Sequence, residues 1–396
     1  MAQHTKEHVK ESPKRLLALD IMRGITIAGM ILVNNPGSWS NIYAPLEHAE
    51  WHGLTPTDLV FPFFMFIMGV STYFSLRKYD FRLSGDCLRK ILVRTVVIFG
   101  IGIAIAWFGK FLRALPEKSV WEAACNFDHI RMLGVMPRLA LCYGLGSLIA
   151  LISGRKALKW VIFVMLALYA VILLVGHGLE FSRDNIIARV DLAVLGENHM
   201  YHMTVDGERL AFDPEGLLST LPSIAHMLIG FLCGGMIVST KDNGERINKL
   251  FILGTILTFA GLLLSYGIPI NKKIWSPTFV LTTCGMASLL LGLLIWIIDI
   301  RGWKGWTPFF RAFGINPLFM YCLGSVMSII LGCIKVPYAA SDSGVISVSG
   351  WYYRAVCVPV AGGDPVFGSL LFALSFVAMI WIPGYFLYKN KIYIKI

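Results

Sequence analysis

Residues 58–76 read Asp58-Leu-Val-Phe-Pro-Phe-Phe-Met-Phe-Ile-Met-Gly-Val-Ser-Thr-Tyr-Phe-Ser-Leu76. After Asp58 no charge appears until Arg77. An apolar run of about 18–20 residues is what a helix needs to cross the hydrocarbon core of a bilayer. Only a helix or a closed barrel can do so, because lipid offers no partner to an open backbone N–H or C=O. Runs of the same kind recur near 17–34, 91–108, 134–153, 159–177, 219–239, 249–267, 277–298, 313–333 and 366–388. The expected fold is therefore all-α, a polytopic integral membrane protein of about ten transmembrane helices. Pro62, Pro137, Pro317 and Pro383 fall inside these runs, as membrane helices tolerate.

Composition agrees. Of the 396 residues, 56% are apolar and 15% charged, against about 45–50% and roughly 25% in soluble domains. The surface of a soluble globule of this size needs more charge. A soluble domain, a disordered chain and a secreted disulfide scaffold are excluded.

The net charge of +11 has a topological cause. Counted on alternating sides of the spans, 21 Lys/Arg lie on the side of residues 1–16, 77–94, 154–159, 240–249, 299–305 and 389–396. The other side carries 11, in 35–57, 109–133, 178–218, 268–276 and 334–365. Positive charge stays in the cytoplasm, so both termini are expected there, and the basic balance needs no nucleic acid. The longer loops then lie outside, where function is expected. Residues 1–15 are polar, and the first apolar run lacks a small-residue cleavage site, so no signal peptide is expected. They read as a cytoplasmic tail, and 16–396 as one integral domain. Gly134-Val-Met-Pro-Arg-Leu-Ala-Leu-Cys142 echoes Gly314-Ile-Asn-Pro-Leu-Phe-Met-Tyr-Cys322, an echo that chance explains in such a composition. The eight Cys show no CxxC and no zinc spacing, so no metal site is expected. Cys125 and Cys357, both on outer loops, are a candidate disulfide pair.

Ionisable residues inside spans are functional candidates by default. Asp20 and Arg23 share a helix face, either as a structural ion pair or with Arg23 binding an anion. Arg138 sits one turn inside the fourth span, and Arg311 enters the ninth as an interfacial anchor or a phosphate ligand. His226, alone in the sixth span, reads as structural. The densest polar string is Glu47-His-Ala-Glu-Trp-His-Gly-Leu-Thr-Pro-Thr-Asp58. Thr55, Pro56 and Asp58 suit a helix N-terminus. That leaves His48, Trp51 and His52 at a helix mouth, where an imidazole can take a proton from a nucleophile or accept an acyl group.

Leu19-Asp-Ile-Met-Arg-Gly24, Val33-Asn34 and His48-Ala-Glu-Trp-His-Gly-Leu-Thr-Pro-Thr-Asp-Leu-Val-Phe-Pro62 resemble the heparan-alpha-glucosaminide N-acetyltransferase family. Within it, the chain resembles bacterial membrane relatives of the lysosomal enzyme. Gly134-Val-Met-Pro-Arg-Leu139, Asp213-Pro-Glu-Gly-Leu-Leu-Ser-Thr-Leu-Pro-Ser223, Ile270-Asn-Lys-Lys-Ile-Trp-Ser276 and Asn316 agree in order.

The resemblance implies transfer of an acetyl group from cytoplasmic acetyl-CoA, as cosubstrate, to the amino group of an amino sugar or glycan across the membrane. It implies a catalytic set of His48, Asn34 and Asp58. Arg23, Arg311 and Arg138 are the expected ligands of the CoA phosphates. His48 acts as base or as acetyl carrier; the residues leave both routes open. The expected partners are the acceptor and the lipid bilayer, with no nucleic acid and a homodimer left open. The expected location is a bacterial cytoplasmic membrane. An amino-sugar transporter and a sugar O-acyltransferase are the competing readings.

Overall fold

The computed structural model describes residues 16–340 and 344–394; the tail expected over 1–15 lies outside the described residues. Seven helices come first: α1 Leu17–Val33, α2 Val60–Arg77, α3 Gly85–Ala114, α4 Val120–Ala124, α5 Val135–Val175, α6 Ile186–Leu195 and α7 Thr220–Ser239. Seven follow: α8 Asn243–Leu264, α9 Pro277–Ile295, α10 Thr307–Ile315, α11 Pro317–Cys333, α12 Val348–Tyr352, α13 Val358–Val360 and α14 Pro365–Lys389.

Among the described residues, seven helical stretches are long and apolar enough to cross a membrane, or eight if α10 and α11, bent by 86°, count as one broken span. Ten were expected. With the bent pair taken as the ninth span, the difference falls at two places. The first expected span is a helix of 17 residues, α1. The fourth and fifth are one stretch of 41 residues, broken where Gly154 adopts φ 64, a left-handed conformation that glycine reaches without a Cβ clash.

The bundle closes through small residues. A Cβ on Gly24 or Gly314 would strike the backbone of the partner helix, and so would one on Gly69 or Gly230. These four positions let α1 meet α10, and α2 meet α7, at backbone distance. The central core contains Phe66, Met65, Met227, Phe231, Phe279 and Leu291, while α3 and α8 leave most of their apolar side chains outward.

The all-α expectation needs one correction. Two antiparallel hairpins are present, β1 His202–Val205 with β2 Glu208–Ala211, and β3 Lys335–Pro337 with β4 Val345–Ser347. The first turns on Asp206 and Gly207, both at positive φ, as a two-residue hairpin turn requires. The candidate disulfide is absent as well. Cys125 is an exposed free thiol, whereas Cys357 is a buried one packed in a cluster with Tyr353, Phe372 and Phe376.

Candidate active site

The site grows from the start of α2. Thr55 is extended at φ −104, ψ 165, and Pro56 opens a short 3-10 turn, Pro56–Leu59, that runs directly into α2. Asp58, at the third position, turns its carboxylate back on the Thr55 backbone N–H at 3.2 Å. That is one half of a capping box, and it involves Oδ2. The same oxygen accepts from Ala49 N–H at 3.1 Å, and Thr55 Oγ1 donates to Glu47 O at 2.6 Å. These bonds draw the 47–49 segment over the helix mouth and set His48 beside Asp58.

The other oxygen, Oδ1, lies 2.6 Å from His48 Nδ1. Asp58 is fully buried, while the imidazole is 32% exposed. Lys272 Nζ lies 3.3 Å from the same Oδ1 and 3.1 Å from Nδ1. Nδ1 cannot both donate to the carboxylate and accept from the ammonium. The short contact with an acceptor-only carboxylate assigns the proton to Nδ1, which leaves the Nε2 lone pair free to act as a base. Capping and imidazole orientation are divided between the two oxygens of one side chain.

The 268–276 segment is held against this loop. Gly53 N–H donates to Ile270 O at 2.8 Å, and Asn271 Nδ2 lies 3.3 Å from His52 Nδ1. Trp51 points away from His48: its Nε1–H donates to Leu179 O at 2.8 Å, and its ring packs edge-on against Phe181 and Phe212. Nearby, Arg131 is held by Asp213 and Glu215, with Arg131 Nε 2.9 Å from Asp213 Oδ2.

Burial lowers the His48 pKa; Asp58 opposes this, and the Lys272 and Lys273 charges add to it. The imidazole is therefore neutral at neutral pH, as a proton acceptor must be. Burial also lowers the Lys272 pKa, with Asp58 pulling the other way.

Farther along α2, thirteen residues or about 20 Å from Asp58, lies a cavity of about 550 Å³. Arg23, Ser71, Thr72, Arg94 and Asn316 are in its polar lining, and Ile98, Ile101, Leu139 and Phe319 are among its apolar walls. Arg23 reaches it while bonded to Ser71 Oγ at 2.8 Å and Asp20 Oδ1 at 3.1 Å. Arg94 Nε is buried without a hydrogen-bond partner among the described residues.

The expected CoA-binding set is thus divided. Arg23 lines the cavity. Arg138 is fully buried, donating to Gly216 O at 2.9 Å and to Ser219 Oγ. Arg311 stacks 5.5 Å from the Tyr388 ring. Of the expected catalytic set, His48 and Asp58 are brought together. Asn34 is exposed at the C-cap of α1, and its side chain makes no hydrogen bond among the described residues. His226 is fully buried, with its ring 5.8 Å from Trp275.

Two residues that sequence reasoning passed over join the sites. Arg94 counted only toward loop charge, although it sits more than two turns inside α3; that intrahelical charge was the available signal. Lys272 lies in the family-like Ile270–Ser276 string, but nothing local gave it a role, since His48 is more than 200 residues away in sequence.

A family description, "Heparan-alpha-glucosaminide N-acetyltransferase, catalytic", matches residues 15–268. The chain is 28% identical over 376 residues to heparan-alpha-glucosaminide N-acetyltransferase of Mus musculus, covering 81% of this chain and 55% of that protein. It is 29% identical over 366 residues to the Homo sapiens protein of the same name, covering 78% and 52%. The chain spans about half the length of the curated relatives it matches.

Proposed function

Because this chain belongs to the heparan-alpha-glucosaminide N-acetyltransferase catalytic family, we propose that it is an integral-membrane N-acetyltransferase. It takes the acetyl group of acetyl-CoA on the cytoplasmic side and passes it to the amino group of a glucosamine-like sugar at the outer, His48 side. The membrane is a bacterial cytoplasmic membrane, with both termini inside.

The observation that carries the reading is the division of Asp58, with Oδ2 capping the helix and Oδ1 fixing His48 at 2.6 Å. A carboxylate on Nδ1 holds one tautomer and stabilises the imidazolium when it forms. His48 Nε2 is then the base that accepts the proton of the sugar amine as its nitrogen attacks the acetyl carbonyl carbon. The C–N bond forms, the C–S bond breaks, and CoA leaves as the thiolate, which takes its proton from solvent. Acetyl-CoA supplies the activated acyl group; the protein supplies orientation and the base. The large cavity fits this donor's chemistry. Its arginines suit phosphates, and apolar walls continue along α2 to Phe64. Phe64 stands six residues, or about 9 Å, from Asp58. Arg23 and Arg94 would hold the phosphates, and the pantetheine arm would follow α2 toward His48.

Purified protein in liposomes tests this. CoA release should depend on an amino sugar on the His48 side and on acetyl-CoA on the other. Uptake of free glucosamine without acetyl-CoA would instead identify a transporter, and equal turnover with glucose would identify a hydroxyl acceptor.

A further inference from the structure

In the proposed reaction His48 gains a proton at every turnover and must lose it before the next. Lys272 stands where that loss is decided. Its side chain is only 14% exposed and enters from a clamped turn. Asn271 Oδ1 accepts from Lys273 N at 2.7 Å and Ile274 N at 3.2 Å, and Asn271 N donates to Ser276 Oγ at 3.0 Å. The Gly53 bond to Ile270 ties this turn to the His48 loop. Beyond the ammonium, Glu215 adds a second attraction and is itself held by Arg131. The charged groups facing His48 are Asp58, Lys272 and Lys273. Those facing Lys272 are Asp58, Lys273 and Glu215, with the His48 imidazole.

We propose that Lys272 is a positioning residue for the His48–Asp58 pair, holding Asp58 Oδ1 on the imidazole and, as a like charge 3.1 Å from Nδ1, expelling the proton that His48 takes from the amine. The proton leaves Nε2 for water through the exposed side of the ring. The two demands are complementary. Asp58 alone would stabilise the imidazolium and slow its discharge; the ammonium offsets that while preserving the tautomer. The inference rests on the acetyl-transfer reading, and its test has a readout that transfer does not control.

In full-length protein in micelles, with histidines labelled in the ring and His48 assigned through His48→Gln, His48 should titrate below the ordinary value of about 6.5. Lys272→Met should raise that midpoint by about one unit or more, and Lys272→Arg should restore it. In parallel, the acidic limb of kcat/KM should move up in Lys272→Met. Its kcat should fall about tenfold with little change in acceptor KM, and the arginine variant should recover both. A merely structural lysine would lower activity without moving the limb. A His48 midpoint unmoved by Lys272→Met overturns the assignment. So does a wild-type midpoint above 6.5, a result that needs no variant to fold. Absence of CoA release by the wild type overturns the acetyl-transfer reading instead, and leaves the imidazole titration to decide the role of Lys272.

Discussion

The two ends of α2 carry polar groups under opposite conditions. At the His48 end every oxygen of Asp58 is engaged, and the carboxylate meets an imidazole, an ammonium and two backbone N–H groups within 3.3 Å. At the Ser71 end, Arg94 and Arg23, the latter bonded to Ser71 and Asp20, border a cavity of about 550 Å³. A site that moves protons must be organised before substrate arrives, because reorganisation during reaction adds to the barrier. A site that recognises a large, flexible anion must leave its donors room to meet it. One region is closed on itself and the other is open, and substitutions should separate them as losses in kcat and losses in affinity.

The largest effect belongs to the closed end. His48→Ala should lower kcat by on the order of 10³, within the usual range for a positioned base, while thermal unfolding stays near that of the wild type. CoA release against an amino sugar measures it, and near-normal turnover would remove His48 from the mechanism.

Asp58→Asn comes next and breaks the comparison in a more informative way. An amide can keep one oxygen on the Thr55 and Ala49 N–H groups, but it must turn its NH2 toward His48 Nδ1. Nδ1 then accepts, the proton sits on Nε2, and the base is lost. The expected result is a fall in kcat on the order of 10² with stability largely retained. Thr55→Ala should shift the balance toward stability: about 0.5–2 kcal/mol lost with the capping residue, and a fall in kcat smaller than that of Asp58→Asn, because the 47–49 segment loses its bond to Thr55 Oγ1 while Asp58 stays on His48. If Asp58→Asn loses stability and keeps turnover, the carboxylate is a cap and nothing more.

At the open end, Arg94→Gln should raise the KM for acetyl-CoA by about 10- to 100-fold, the scale of one lost hydrogen bond to a charged group. Its kcat should stay within a few-fold. A loss in kcat with unchanged KM would place Arg94 in the packing of α3 on α5, where its guanidinium lies 4.7 Å from the Tyr143 ring.

Much of this contrast was legible in the sequence, and the remainder was illegible for physical reasons. The spans and the catalytic loop announce themselves locally: apolar runs, Thr-Pro-x-Asp before a helix, two imidazoles at its mouth. The 202–211 hairpin carried a local signal too, Asp206-Gly207, but it lies in a loop between spans, where an all-helix reading does not look. Arg138 shows the limit of depth arguments. One turn inside a span it resembles a ligand-binding charge, yet it is fully buried, with its Nη2 taken up by Gly216 and Ser219 from a loop some 80 residues later. Lys272 shows the converse. Sequence places it in a short loop with an ordinary surface charge, and only packing of that loop on 47–58 makes it part of the site. Which charges are consumed by the protein and which stay open is a property of long-range packing, and no local pattern encodes it.

The smallest effect concerns the second imidazole of the string. His52 sits four residues from His48, and a sequence reader could exchange their roles. Their surroundings differ: His52 has a neutral amide, Asn271, at 3.3 Å and no carboxylate, so nothing holds its ring in a base-competent tautomer. Burial lowers its pKa and keeps it neutral, as it does for His48, so protonation state does not distinguish the pair; orientation does. His52→Ala should therefore cost less than about tenfold in kcat/KM, under 1.4 kcal/mol of transition-state stabilisation. That loss should come through the 268–276 turn that carries Lys272, as a slight upward move of the acidic limb rather than a fall at its plateau. A plateau loss as large as that of His48→Ala would mean that the two imidazoles act as a unit and that Asp58 does not single one out.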